Sequence, residues 1–328
     1  MQRNHFIRAL SASPLALLSS AGGVHAQSFL DRPLRVVVPF PAGNTIDAAL
    51  RQFGEEFKKN TGQPLLIDNK PGGFGVIAAQ AVMNAPADGS TVLMGHSGIF
   101  AINPMVIAKL PYDAEKTFRH LSTFLSSSMV MAVNAANVPA SDVKQFVAWA
   151  KTRPGQVSYA SFAPASPSQF AGLILNKRAG IEMIHVPYSG TPPAVQNLVG
   201  GQVHAAYVPL IAVKQHVESG KVKVLAVTSP KRSALLPEVP TFTEQGYPEL
   251  EISIWSSFAV LATTPDAIAT PLHAALVKAL RAHDVREKWR PMDFEPLPST
   301  PDEVVQLVRE DARRMTDAVK ISGIKLSG

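Results

Sequence analysis

The feature that most constrains this chain is a repeated passage from a short β-branched run, through a turn rich in Pro and Gly, into a helical segment. Residues 34–39 end at Phe40-Pro41-Ala42-Gly43, and 45–59 follow with the spacing of an amphipathic helix. The run 64–68 leads into Pro71-Gly72-Gly73-Phe74-Gly75 and a helix over 78–84, and 91–95 make a third strand. A second series starts at 129–133. It continues as a helix over 143–151, a strand over 157–160, a helix over 168–178, a strand over 183–186, a helix over 194–200, and strands over 204–207 and 224–227. A β-type stretch over 252–261 and helices over 265–282 and 301–322 close the chain. Short apolar strands alternating with helices predict an α/β fold, with mostly parallel sheets covered by helices on both faces.

The 328 residues exceed the ~250–300 at which one core usually stops growing, so two lobes are expected. The chain is expected to leave the first lobe near 124–129 and to return near 252–257. That gives a first lobe over 27–127, a second over 128–252 and a return to the first over 253–328. Two crossing segments restrict the motion to opening and closing around a cleft.

Arg3, His5 and Arg8 precede an apolar stretch over 9–18, and Val24-His25-Ala26 supplies small residues two apart before Gln27. This is the pattern of a secretory signal peptide over 1–26 and implies an exported protein of the periplasm. The formal charge of +6 includes Arg3 and Arg8, so the mature chain carries 6 − 2 = +4. Its Lys and Arg are scattered without interleaved aromatics, which excludes a nucleic-acid surface. With no cysteine, disulfides, thiolate nucleophiles and zinc-thiolate sites are excluded.

Gly43 stands between a strand and a helix, where Asn44 or Thr45 supplies the cap. Backbone N–H groups and the positive dipole end of such a helix face the carboxyl ends of the strands and attract an anion. Alone, this loop reads better as an ordinary capped connection. A second loop of the same kind at 69–78 makes a paired grip on one carboxylate the better reading. Gly73-x-Gly75-x-x-Ala78 imitates a dinucleotide fingerprint, but no acidic residue ends the next strand near Met94, so no cofactor is expected. His96-Ser97-Gly98 offers Ser97 as a hydrogen-bond donor. Gly-x-Ser-x-Gly, His-Glu-x-x-His and paired carboxylates at strand ends are absent, and the nine His show no metal spacing. Neither a catalytic nor a metal site is expected.

Pro33-Leu34-Arg35-Val36-Val37-Val38-Pro39-Phe40-Pro41-Ala42-Gly43, Asn69-Lys70-Pro71-Gly72, Pro86-Ala87-Asp88-Gly89, Ile102-Asn103-Pro104 and Leu110-Pro111-Tyr112-Asp113 together closely resemble the Bug proteins. So do His185-Val186-Pro187-Tyr188, Gly200-Gly201-Gln202-Val203 and Leu236-Pro237-Glu238-Val239-Pro240. These proteins are the extracytoplasmic receptors of tripartite tricarboxylate transporters. The resemblance covers nearly all the mature chain. It implies a two-lobed type II periplasmic binding fold that is not an enzyme, is expected to be monomeric, and hands a small carboxylate to membrane transporter subunits. A membrane signalling partner is the alternative. The site residues it implies are Phe40, Ala42, Gly43, Asn44, Thr45, Asp47, Gly73, Phe74, Gly75, Val76 and Ser97 on the first lobe. On the second they are Ser161, Phe162, Ser166, Ser168, Tyr188 and Pro209. Phe74 and Val76 replace a glycine and an Asn of the family pattern, and Phe162 falls where small polar residues are common. These departures point to a monocarboxylate with an apolar or aromatic body, with packing of the loops against their lobe as the competing reading.

Overall fold

A computed structural model describes residues 32–322, so the signal peptide expected over 1–26 lies outside the described residues. The chain opens with β1 (Leu34–Val38), α1 (Thr45–Thr61), β2 (Leu65–Asn69), α2 (Val76–Met83), β3 (Thr91–His96), α3 (Asn103–Val106) and β4 (Phe118–Ser127). The second series is β5 (Met129–Asn134), α4 (Val143–Lys151), β6 (Val157–Ser161), α5 (Pro167–Ala179), β7 (Met183–Pro187), α6 (Thr191–Val199), β8 (Ala205–Pro209), α7 (Leu210–Glu218) and β9 (Val222–Val227). It closes with β10 (Ile254–Leu261), α8 (Asp266–Leu280), α9 (His283–Trp289), β11 (Phe294–Pro296) and α10 (Pro301–Ser322).

These strands form two sheets, in the orders β11-β4-β10-β3-β1-β2 and β7-β6-β8-β5-β9. Each has a parallel half, with β1 between β2 and β3 in one and β6 between β7 and β8 in the other. The remaining pairs are antiparallel: β10 with β3 and β4, β11 with β4, and β5 with β8 and β9. The sheets are thus mixed, for a topological reason. Strands β4, β5, β9 and β10 adjoin the crossings between lobes, and four of the five antiparallel pairs join two of these strands or one of them to the parallel half of its sheet.

Burial follows the strand period. In β1, Val36 and Val38 join one core with Phe53 and Phe57 of α1, Leu272 and Leu276 of α8, and Trp289 of α9. Val37 points the other way, into a core with Ala78, Ala79 and Val82 of α2 and Trp255. Both faces of the sheet are therefore covered, which is why its parallel strands read as unbroken apolar runs. The second sheet repeats this arrangement. Met129, Met131 and Val133 face α4 and α5, and Val130 and Ala132 face α6 and α7.

At the first crossing only Ser128 separates β4 from β5. Buried Thr228 ties this crossing to the second. Its N–H donates to Met129 O at 2.8 Å and its carbonyl accepts the Ile252 N–H at 2.9 Å. Its Oγ1 lies 2.6 Å from Ile252 O and 3.0 Å from Met129 O, so one hydroxyl proton has two acceptors in reach. Helix α10 spans the same junction. It packs on β4 and on α5, with Met315 and Ala318 in the core that holds Phe170 and Leu175.

Candidate functional site

The carboxyl ends of β1, β2 and β3 carry the first-lobe loops expected to line the cleft. After β1 the chain turns at Gly43, whose φ of +81° favours glycine. Asn44 caps α1 by accepting the Asp47 N–H at 2.7 Å. The amides of Thr45 and Ile46 precede the first possible intrahelical bond and so remain available to an anion. Ala42, Gly43 and Thr45 are exposed.

Asp47 is buried, and its carboxylate belongs to the loop. It accepts the Gly43 N–H at 3.0 Å, Arg51 Nε at 3.0 Å and Asn69 Nδ2 at 3.2 Å. Burial raises its pKa, but the bonds from Gly43, Arg51 and Asn69 outweigh that and leave it below the ordinary carboxylate value. Asn69 also donates to Phe40 O at 3.0 Å. One amide at the end of β2 thereby ties the second strand to the first loop, which gives Asn69 a positioning role that the sequence reading had not assigned.

The second loop is a run of four residues with positive φ: Gly72 at 107°, Gly73 at 55°, Phe74 at 56° and Gly75 at 88°. Phe74 is held in this left-handed conformation by buried Asn103, whose Nδ2 donates to Phe74 O at 3.0 Å and stands 3.1 Å from Tyr112 Oη. Its ring is 40% exposed beside Ile77 at 46%. Gly75 is buried, and Val76 starts α2 partly covered by the apolar core.

At the end of β3 the His96 ring stacks on Phe40, with centroids 5.1 Å apart. Its Nδ1 accepts the Gly98 N–H at 3.0 Å, and burial pushes its pKa down to about 4. Ser97, expected as a donor into the cleft, is 2% exposed. Its hydroxyl lies near the Asp311 carboxyl of α10 but outside hydrogen-bond geometry. Asp311 in turn accepts from Trp255 Nε1 at 3.1 Å. The side chain that β3 leaves among the loops is thus His96, one residue earlier. Its position as the last residue of a central strand was the signal available in the sequence.

On the second lobe the three expected serines are engaged by groups of the lobe itself. Ser161 Oγ lies 2.9 Å from Ala163 O and 2.7 Å from His185 Nε2. Ser166 caps α5 and donates to Ala163 O at 2.6 Å, and Ser168 donates to Tyr207 O and faces the Phe162 N–H. All three are buried, whereas Phe162, Tyr188 and Pro209 keep partly exposed surface. Burial raises the Tyr188 phenol pKa. The first-lobe loops thus offer backbone N–H donors, and the expected second-lobe residues that keep exposed surface are aromatic or apolar. Among the described residues, no group of three or more His, Cys, Asp or Glu could hold a metal ion, and no helix is long and apolar enough to cross a membrane.

Residues 49–324 match the tripartite tricarboxylate transporter family receptor, TctC. The chain is 31% identical over 315 residues to BugT of Bordetella pertussis, covering 95% of this chain and 96% of BugT. Its fold is similar to that of Rpa4515 of R. palustris, solved with adipate, with a TM-score of 0.80 and 30% identity over 90% of this chain and 98% of that one. MatC from Rhodopseudomonas palustris, solved with bound malate, gives a TM-score of 0.76 at 30% identity, covering 88% of this chain and 99% of MatC.

Proposed function

This chain belongs to the tripartite tricarboxylate transporter receptor family, whose members are substrate-binding proteins rather than enzymes, and from that premise we propose that it captures a small monocarboxylate with an apolar or aromatic body. In this reading the protein is exported by its N-terminal segment and works in the periplasm as a monomer. Residues 27–127 and 253–328 make one lobe, 128–252 the other, and the loaded, closed form is presented to the membrane subunits of a tripartite transporter.

What supports the ligand class is the unequal chemistry of the loops expected to line the cleft. The free helix-start amides of Thr45 and Ile46 lie on one side and suit a single carboxylate. The surface left by Phe74, Phe162, Tyr188 and Pro209 offers few groups to pair with a second. Burying one ring contributes about 1.5–3 kcal/mol, and a second ligand carboxylate left unpaired would cost more than that. Adipate and malate in the two related structures support the carboxylate class.

Thermal unfolding of the mature protein, from Gln27, against benzoate, adipate, malate and citrate tests this reading. A ligand at 100 times its Kd stabilises the fold by about 2.7 kcal/mol. The largest shift is expected with benzoate. A larger shift with citrate or malate would overturn the apolar-body assignment, and no shift with any of the four would overturn the carboxylate assignment.

A further inference from the structure

We propose that His96 is a specificity-determining residue of this cleft, donating its Nε2–H to one oxygen of the bound carboxylate. The inference rests on the carboxylate reading above and adds a side-chain donor that neither glycine loop supplies.

The tautomer follows from one hydrogen bond. Because Nδ1 accepts the Gly98 N–H at 3.0 Å, the proton of the neutral ring sits on Nε2. Nε2 has no partner among the described residues, and it lies 3.6 Å from the point where a Cβ on Gly75 would stand. The donor therefore lies beside the Gly75 backbone of the second loop, where Ile99 fills the place of a side chain, and His96 keeps part of its surface exposed. The ring also packs closely on Gly98, where a Cβ would come within 2.5 Å of His96 Cε1 and 2.9 Å of Nδ1. Phe40 stacks on the ring face. Two glycines and one aromatic ring thus fix the direction of a single N–H, between the loop that follows β1 and the loop that follows β2.

The charge state matters as much as the direction. Burial pushes the imidazole down to about 4, so near neutral pH the ring offers a dipole and no net charge. A neutral donor satisfies one carboxylate oxygen without supplying the positive charge that a di- or tricarboxylate needs. It also presents no acceptor in that direction, so ligands that place an ammonium or amide N–H there are rejected. His96 thereby reads both the presence of one anionic oxygen and the absence of further charge.

The experiment pairs His96→Phe, which keeps a flat ring but removes the donor, with His96→Gln, which keeps an N–H on a flexible chain. Benzoate and adipate are the probes, with Kd measured by calorimetry and folding checked by thermal unfolding. His96→Phe is expected to weaken the bound carboxylate about ten- to hundredfold, and His96→Gln to recover part of that loss. In wild-type protein, 15N NMR of the imidazole is expected to show the Nε2–H tautomer and a shift of that resonance on saturation. Wild-type affinity in a folded His96→Phe protein would overturn the proposal. If that variant does not fold, an Nδ1–H tautomer in the wild type, or an Nε2 resonance unmoved by saturating ligand, overturns it. Binding of adipate through His96 without binding of benzoate would overturn the apolar-body reading and, with it, the selection against further charge assigned to His96. Failure of both probes to bind wild-type protein would overturn the carboxylate reading and this inference with it.

Discussion

Asp47 Oδ2 lies 3.0 Å from the Gly43 amide nitrogen, and that bond closes the first loop over the start of α1. The same carboxylate holds Arg51 and Asn69, so one buried residue fixes the loop, the helix and the neighbouring strand. In Asp47→Asn at least one of the three donors loses its acceptor, and an amide N–H must face another donor. We expect a loss of about 1–3 kcal/mol in urea unfolding, with weaker carboxylate binding. Because the Asp47 pKa is lowered in the fold, its contribution is complete above the unfolded value of 3.8. It disappears as pH falls through the lower, folded value. Equal stability of mutant and wild type at pH 7 would show that the loop closes without this carboxylate.

Phe74 sits at φ +56°, where a non-glycine residue costs about 1–2 kcal/mol. Phe74→Gly removes that strain but adds roughly 0.5–1 kcal/mol of unfolded-chain freedom, so stability should change by less than about 1 kcal/mol. Affinity for an apolar monocarboxylate should fall about five- to tenfold as partial ring burial is lost. Calorimetry with benzoate beside a denaturant melt separates the two effects. Unchanged affinity would assign the ring to loop packing alone.

Gly43 and Gly75 share positive φ but differ in their surroundings. A Cβ on Gly43 meets nothing within 4 Å, whereas one on Gly75 lies 2.6 Å from Ile99 Cγ1. Gly43→Ala should cost about 1–2 kcal/mol from backbone strain alone. Gly75→Ala should cost roughly 2–5 kcal/mol, because overpacking adds to strain. Gly43→Val should fold and lose carboxylate binding. Equal melting of the two alanine variants would contradict the packing around Gly75.

His96 and His120 are both pushed down to about 4 by burial. The unfolded chain binds protons at these sites below the ordinary value of 6.5, while the fold resists until about 4. Stability is therefore full above pH 6.5 and declines as pH falls toward 4, by about 1 kcal/mol per pH unit for each residue. The raised carboxyl of Asp311 works in the opposite sense, since protonation on acidification relieves its burial. Urea melts from pH 7.5 to 4.5 for wild type and His120→Phe should show the smaller slope in the variant.

Thr228→Val keeps the shape of the side chain and removes the hydroxyl shared by Met129 O and Ile252 O. A loss of about 1–2 kcal/mol is expected. Because those carbonyls belong to the two crossing segments, small-angle scattering of the unliganded variant should show a wider range of lobe separations. Scattering and stability identical to wild type would remove this hydroxyl from the junction.

Where backbone chemistry dominates, the sequence was legible. The alternation of apolar runs and capped helices located β1, α1 and the helices 143–151 and 301–322 closely, and the Pro and Gly turns located both first-lobe loops. The strand β4 was missed because Arg119, His120, Ser122, Thr123, Ser126 and Ser127 look like a surface segment. In the fold Ser122 and Thr123 are buried and bonded to Ser299, a partner far along the chain. The same limit applies to the site. Asp47, Ser161, Ser166 and Ser168 stand in or beside the loops, but whether a hydroxyl or carboxylate faces the cleft or its own backbone depends on tertiary contacts that spacing does not encode. His96 was passed over for Ser97 for that reason, since one step along a strand reverses the face.

The position of β10 between β3 and β4 sets an order of assembly. Strands β5 to β9 follow one another without interruption and complete the second sheet from a continuous stretch of chain. The first sheet has a gap at its centre, because Ser256 must pair with His96. A chain growing from its N-terminus therefore carries β3 and β4 as two unpaired edges until the second lobe has been synthesised. Such edges invite pairing with other chains, and closing them is the long-range step that limits the folding rate. Hydrogen exchange pulsed during refolding should thus protect β5 and β8 before β3. His96, proposed above to meet the ligand, would then be among the last residues to be ordered.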